Sequence, residues 1–212
     1  MVRLDPQSYT GLDRLGRIAL SESFHMREFL HSEIAVHYGL RNVPDAAHVQ
    51  ATIAAGSKLC SLLLEPLQAQ FGRVHVRSGY RSRAVNMAGV GKHNCAADND
   101  GFHTWDHPSG KNGMGATACI SIPRVSRAIL GARLPHEALA WWIHDTLAEW
   151  SHVEFFATPE HSDEVCFNIG WLETPLKTMT TWRGGPRSLL ERMPSATERQ
   201  ALSHSLLRFC GI

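Results

Sequence analysis

Two short stretches carry residue types that are suited to chemistry. GATACISI (115–122) is typical of a glycine turn that leads into a β-strand, and Cys119 lies near its middle. AEWSHVEFF (148–156) places Glu149 three residues before His152, a spacing that one helical turn brings to the same side. Cys119 is either a small apolar core residue or a thiolate that holds a metal ion. Glu149 and His152 are either surface residues or the base and a ligand of a metal-dependent hydrolase.

A third stretch, SGYRS (78–82), places Arg81 on a tight turn. A guanidinium group presents a planar fork of N–H donors that matches a carboxylate. Arg81 is therefore either a clamp for the carboxylate of a ligand or a surface arginine that pairs with a nearby acid.

A long segment between these stretches, residues 89–114, shows no helical or strand periodicity. A structureless loop of this length in a compact domain is usually functional or disordered. Its HTWDHP sequence supplies three further candidate metal ligands, His103, Asp106 and His107. The two histidines are four residues apart and would share a face on a helical turn, but Pro108 favours the end of any helix there.

The composition bounds the class of protein. A chain of 212 residues, 43% hydrophobic and 19% charged, suits one domain with a sizeable core, alone or with an extension. The net charge is +1 and the basic residues are scattered, which argues against a nucleic-acid-binding face. We expect no membrane span, no secretory signal and a cytoplasmic location. Five cysteines without a C-x-x-C pair argue against a disulfide framework.

The periodicity of the chain predicts an α+β domain. We predict a helix over 26–38 that Ser23 caps and Gly39 ends, and a long helix over 46–70 with Cys60 in its apolar stripe. Ser195 and Glu198 form a capping box that opens a helix near the C-terminus. The remaining predicted elements are a strand at Val74–Val76, a strand over 115–122, a helix over 135–150, and strands in SHVEFFA, FNIGW and LKTMTTW.

Several of these stretches, taken in order, resemble a known family. SESFHMREFL, a helix closing on LLLEPLQAQFG, then VRSGYRSRAVN, a Gly-rich turn into a strand, and EWSH are similar to the M15 zinc peptidases. That family includes D-alanyl-D-alanine carboxypeptidases and dipeptidases and some phage endolysins, and its fold is shared with the hedgehog signalling domain. The resemblance covers about residues 20–156. It implies a small antiparallel sheet with helices packed on it, a metal-binding domain at 1–156 and a C-terminal extension at 157–212 packed on that domain.

The resemblance also implies roles for individual residues. His152 matches a zinc-binding histidine and Glu149 the catalytic base, while Arg81, with Ser78 and Tyr80 on the same turn, matches the substrate-binding site. The family's zinc motif, S-x-H-x-x-G-x-A-x-D, is altered. Three of its positions carry other residues in this sequence: Asn112 stands for the histidine, Thr117 for the alanine and Cys119 for the aspartate.

We therefore expect a non-standard metal site of His107, Cys119 and His152, with His103 or Asp106 as additional or substitute ligands. The cofactor would be zinc, or alternatively iron or copper. The leading hypothesis is a metal-dependent hydrolase of a peptide or amide bond next to a carboxylate, acting on a small peptide or amino-acid-like substrate. The alternatives are a metal-binding redox enzyme or ligand-binding protein on the same fold, and a phage-type cell-wall endopeptidase.

Overall fold

The computed structural model describes residues 5–157 and 163–212 as an α+β fold, which confirms the predicted class. Its helices are α1 (Tyr9–Gly16), α2 (Glu33–Tyr38), α3 (Val49–Leu59), α4 (Glu65–Phe71), α5 (Arg83–Gly89), α6 (Pro123–Gly131), α7 (Glu137–Thr146) and α8 (Ala196–Cys210). Its strands are β1 (His75–Ser78), β2 (Gly115–Ser121), β3 (His152–Phe155), β4 (Cys166–Leu172), β5 (Thr178–Thr181) and β6 (Arg187–Ser188). Short 3₁₀ turns cover Met26–Phe29, Gly110–Asn112 and Leu190–Arg192.

The predicted long helix is confirmed, with one irregularity. A π-helical turn, Cys60–Leu64, joins α3 to α4, so the backbone is helical from Val49 to Phe71. Pro66 follows this turn and has no N–H to donate to the helix. The apolar stripe packs against the sheet, and Cys60 is fully buried as predicted.

The prediction of one continuous helix over 26–38 is wrong. A 3₁₀ turn is followed by a break, and α2 then begins under a new cap, the Ser32 side chain, which accepts from the Ala35 N–H. Ser23 is not a cap, because its N–H and hydroxyl both donate to the Glu65 carboxylate. The predicted end is confirmed, since Gly39 closes α2 in the left-handed conformation at φ 63°.

The six strands form one sheet in the order β1-β2-β4-β3-β5-β6. The sheet is mixed rather than wholly antiparallel, because β3 and β5 run parallel. Strand β4 lies between β2 and β3 and pairs antiparallel with both. Residues 163–212 thus supply three of the strands, including a central one, and the sheet is continuous across the predicted boundary at 156.

The two faces of the sheet differ sharply in chemistry. Residues paired across strands point to the same face, so the register defines rows of side chains. One face is apolar and covered by helices; its buried members are Ala118, Ile120, Val153, Phe155, Phe167, Ile169 and Met179. The opposite face, which we call the polar face, carries Ser78, Thr117, Cys119, Ser121, His152, Glu154, Cys166, Asn168 and Gly170.

Helix α8 closes the fold by packing against α6 and α7. It begins with the predicted capping box: the Ser195 hydroxyl accepts from the Glu198 N–H, and the Glu198 carboxylate accepts from the Ser195 N–H. Within the described ranges, none of the helices has the length and apolar character required to cross a bilayer.

Candidate functional site

The polar face brings predicted site residues together in two adjacent rows. One row runs Thr117, Gly170, His152 across β2, β4 and β3. The next row starts on β1 and contains Ser78, Cys119, Asn168 and Glu154, in that order. Cys119 and His152 therefore lie on one face, two strands and one row apart.

His152 lies over the gap left by a glycine. A Cβ added at Gly170 would be 2.2 Å from His152 Nε2, so only glycine admits the ring in this position. The ring reaches across β4 to Thr117, whose Oγ1 lies 2.8 Å from His152 Nε2. Phe102 packs beside it with a centroid separation of 4.7 Å. The other ring nitrogen, Nδ1, is buried and has no hydrogen-bond partner in the described part of the chain.

His103 is brought to the same face by a loop that continues the sheet beyond β1. The Thr117 N–H donates to the Phe102 carbonyl at 2.9 Å, and the Arg81 N–H donates to the His103 carbonyl at 2.8 Å. His103 Nδ1 lies 2.7 Å from the Gly79 carbonyl oxygen. Because a carbonyl only accepts, Nδ1 carries the hydrogen and Nε2 carries the lone pair.

Both imidazoles are neutral at pH 7. Burial, reinforced by the charge of Arg81, lowers the pKa of His103 to about 3. Burial lowers the pKa of His152 to about 4. The two rings are close enough for His152 to contribute to the His103 shift, and the Asn168 side chain also faces His103. The site therefore presents lone pairs and neutral N–H groups rather than imidazolium charges.

Arg81 is the positive charge of the site. Its Nη2 donates to Ser78 Oγ and its Nη1 to Cys95 Sγ, both at 3.3 Å. These partners are neutral, and no Asp or Glu of residues 5–157 or 163–212 forms an ion pair with Arg81. A half-buried guanidinium held by neutral groups keeps its charge available to an anion.

Cys119 is a protonated thiol. Burial, followed by the nearby Cys166, raises its pKa to about 12, and the charges of Arg77 and Arg81 oppose this shift only in part. A buried strand position without a bound cation disfavours the thiolate, so the thiolate at position 119 stays a prediction that depends on a bound metal ion.

Three predicted site residues lie in a different network. The fully buried Tyr80 donates its hydroxyl to Asp106 at 2.9 Å, and the other Asp106 oxygen lies 3.0 Å from His107 Nδ1. The His107 ring packs on His48 just before α3, with a centroid separation of 4.9 Å. The preferred ligand His107 and its neighbour Asp106 are thus engaged away from the polar face, and His103 occupies the place beside His152.

Glu149 does not share a helical turn with His152. Helix α7 ends at Thr146, Glu149 is exposed in the following bend, and His152 is the first residue of β3. Burial lowers the pKa of Lys177, and the Glu149 carboxylate counteracts that shift, so Glu149 faces this lysine. The predicted helical pairing is wrong because the helix is shorter than its apolar pattern indicated.

These residues do not fit a bound metal ion as they stand. Within the part of the chain that the structure covers, no three His, Cys, Asp or Glu side chains converge closely enough to hold one. Asn112, at the family's histidine position, donates its side-chain N–H to the Thr174 carbonyl and fastens a loop. His103, His152 and Cys119 remain as candidate ligands, but these three side chains do not converge on one point.

Sequence reasoning missed two residues of the polar face, Asn168 and Glu154. Asn168 Nδ2 donates to Glu154 Oε2 at 3.0 Å, while Asn168 Oδ1 is buried without a partner in the described residues. The other Glu154 oxygen accepts from Trp182 Nε1 at 2.7 Å. The available signal was CFNIGWL, in which Cys166, Asn168 and Gly170 alternate with large apolar residues.

The fold and site together define a class: an α+β domain that carries arginine, imidazole and amide groups on one face of a mixed sheet. Comparison of the chain with protein families, characterised proteins and solved structures finds no match.

Proposed function

We propose that the polar face forms a pocket that binds a small ligand through the ligand's carboxylate, with Arg81 as the anchor. The observation that carries this proposal is the half-buried guanidinium of Arg81, which is held by the neutral groups of Ser78 and Cys95 and forms no ion pair among the described residues. An arginine fork binds a carboxylate through two charge-assisted hydrogen bonds. The ligand class is a small acid, of which a peptide or an amino-acid-like molecule is the form that the M15 resemblance favours.

Calorimetric titration of the full chain with caproate, a simple carboxylate, tests this proposal. Arg81→Gln should abolish binding, and Arg81→Lys should weaken it about tenfold because a lysine keeps the charge but loses the fork. Arg83→Gln is the matched control, since the Arg83 charge is already paired with Asp100 at 2.6 Å. Equal affinity in the wild type and Arg81→Gln would contradict the proposal.

A metal-dependent amide hydrolase on an M15-like fold is the second candidate. The observation that favours it is the buried, unpartnered Nδ1 of His152 beside the neutral ring of His103. A neutral imidazole nitrogen without a hydrogen-bond partner is a suitable metal ligand. Since the described residues lack a charged third ligand, this candidate requires Cys119 to lose its proton and move toward the histidines.

Elemental analysis of the purified protein and titration with zinc separate the two candidates. The hydrolase candidate expects one tightly bound zinc ion per chain, lost in His152→Asn, and turnover of a short peptide that is abolished in Glu149→Gln. If the chain binds a carboxylate but neither binds zinc nor hydrolyses a peptide, the first candidate, a carboxylate-binding protein, is supported. Unchanged peptide turnover in Glu149→Gln would remove Glu149 as the base.

A further inference from the structure

A second charge on the polar face lacks an ionic partner. Glu154 projects from β3, and its two oxygens accept hydrogen bonds from Asn168 and Trp182, which are neutral donors. Among the described residues, no arginine, lysine or histidine forms an ion pair with it. The polar face therefore carries one unpaired positive charge and one unpaired negative charge.

The two charges lie at opposite ends of one row. Ser78, which contacts the guanidinium, is separated from Glu154 by Cys119 and Asn168, hence by three strand spacings or about 14 Å. Arg81 is close enough to Cys119 to oppose the rise of its thiol pKa, and Glu154 accepts a hydrogen bond from Asn168, so both charges act on the two residues between the ends of the row.

The surface between the charges offers unused hydrogen-bonding atoms. Asn168 Oδ1, in the middle of the row, is buried without a partner in the described residues. His152, in the adjacent row, is only 8% exposed, and its Nδ1 also lacks a partner there. Buried polar atoms without partners are rare and costly in folded proteins, so His152 Nδ1 favours a polar ligand, whereas Asn168 also interacts with His103.

We propose that the pocket takes a dipolar ligand, whose carboxylate binds Arg81 and whose ammonium group binds Glu154 beside the indole of Trp182. The carboxylate half rests on the function proposed above, and the ammonium half is new. Trp182 is 49% exposed, and its N–H bond to Glu154 fixes the ring next to the carboxylate. An ammonium group between a carboxylate and an aromatic face gains both Coulomb and cation–π attraction.

The separation of the charges selects the length of the ligand. The row is about 14 Å long and a charge-assisted hydrogen bond at each end takes up about 2.8 Å, so a ligand that spans the row has its charged groups roughly 8 Å apart. A single α-amino acid is too short to contact both ends. An extended backbone advances about 3.5 Å per residue, so the gap suits a chain as long as two or three residues.

A series of probes that differ only in length and in the terminal amine tests this proposal on the full chain. The probes are glycine, γ-aminobutyrate, ε-aminocaproate and caproate, each titrated by calorimetry. We expect ε-aminocaproate to bind about fivefold more tightly than caproate, and glycine to bind most weakly. Glu154→Gln should bring ε-aminocaproate to the affinity of caproate without weakening caproate. Glu191→Gln, at an exposed glutamate elsewhere, should change neither affinity.

The outcomes separate this inference from the function on which it rests. If caproate binds but the amine of ε-aminocaproate adds nothing, the ammonium site is wrong and the carboxylate site stands. If no probe binds, both proposals fail. The comparison of the two caproate-length probes uses the wild-type protein, so the ammonium site is tested even if Glu154→Gln does not fold.

Discussion

Two neighbouring residues, Gly170 and Thr117, fix the position of the His152 ring. Gly170 leaves the space, and Thr117 holds Nε2 at 2.8 Å. Burial then keeps the imidazole neutral. The sequence placed His152 and Arg81 among the candidate site residues because their types and local motifs are informative on their own. It could not predict that His103, rather than His107, faces His152, because that choice depends on long-range hydrogen bonds to Gly79 and Thr117.

Gly170→Ala tests the space required by His152. The new methyl group would overlap the ring, so the ring or the strand must move, and we expect a loss of about 1–3 kcal/mol in the free energy of unfolding. Carboxylate binding should weaken because the floor of the pocket is displaced. Denaturant titration measures the first effect and calorimetry the second.

Gly131→Ala is the matched control, since an added Cβ at Gly131 meets nothing within 4 Å and this residue ends α6. It should leave binding unchanged and alter stability by less than about 1 kcal/mol. A Gly170→Ala protein as stable as the wild type would show that the ring does not need the gap.

Thr117→Val tests the hydrogen bond to His152. The substitution keeps the shape but leaves both ring nitrogens without partners, so we expect destabilisation of about 1–3 kcal/mol. Thr180→Val, on the same face but away from His152, should cost less than about 1 kcal/mol, and chemical denaturation compares the two. Equal costs would contradict the assigned role of Thr117.

At the level of secondary structure, elements with clear periodicity or a cap were predicted well. The long α3–α4 helix, strands β2, β4 and β5, and the capping box of α8 follow from local patterns. Three short helices, α1, α5 and α6, were missed because each is brief and partly polar. The loop over 89–114 carries no such pattern, and its conformation is set by bonds to β2 and to the SGYRS turn.

Ser195→Ala tests the cap of α8. The Ser195 side chain accepts a hydrogen bond from the Glu198 N–H, and alanine has no group that can replace it. We therefore expect a loss of about 1 kcal/mol in the free energy of unfolding. Ser205→Ala, at a half-buried position of the same helix whose hydroxyl donates only to the Ala201 carbonyl, should be neutral or slightly stabilising. Thermal unfolding followed by circular dichroism gives both values, and an unaffected Ser195→Ala protein would contradict the capping role.

At the scale of the whole molecule, the two faces of the sheet have different roles. Its apolar face builds the core with the helices, while its polar face collects the groups available to a ligand. Strand β4, from the segment that sequence reasoning treated as an extension, places Asn168 and Gly170 at the centre of that surface. No local pattern indicates which strands become neighbours, so this central position could not be predicted.

Acid should destabilise the fold through His136, a buried histidine whose Nε2 lies 2.8 Å from the Thr181 hydroxyl. Burial lowers its pKa from 6.5 to about 4, opposed in part by Glu137. Between these values the unfolded chain binds a proton that the folded chain does not, so stability falls as the pH decreases through this window. His136 contributes at most about 1.4 kcal/mol per pH unit to this slope, and His103 and His152, whose pKa values burial also lowers, add to it.

Urea denaturation between pH 7.5 and 4.5 measures this slope. His136→Asn should reduce the slope, whatever its effect on stability at neutral pH, and His204→Asn at an exposed position should leave it unchanged. A slope that His136→Asn does not alter would show that another group causes the acid sensitivity.

The central claim, that Arg81 anchors a ligand carboxylate on the polar face, is tested most directly by NMR of the arginine side chains. In a titration of ¹⁵N-labelled protein with caproate, the Nε–H signal that Arg81→Lys removes should shift in a saturable manner, and the Arg83 signal should stay in place. A saturable shift at another arginine, such as Arg124, with none at Arg81 would contradict the account.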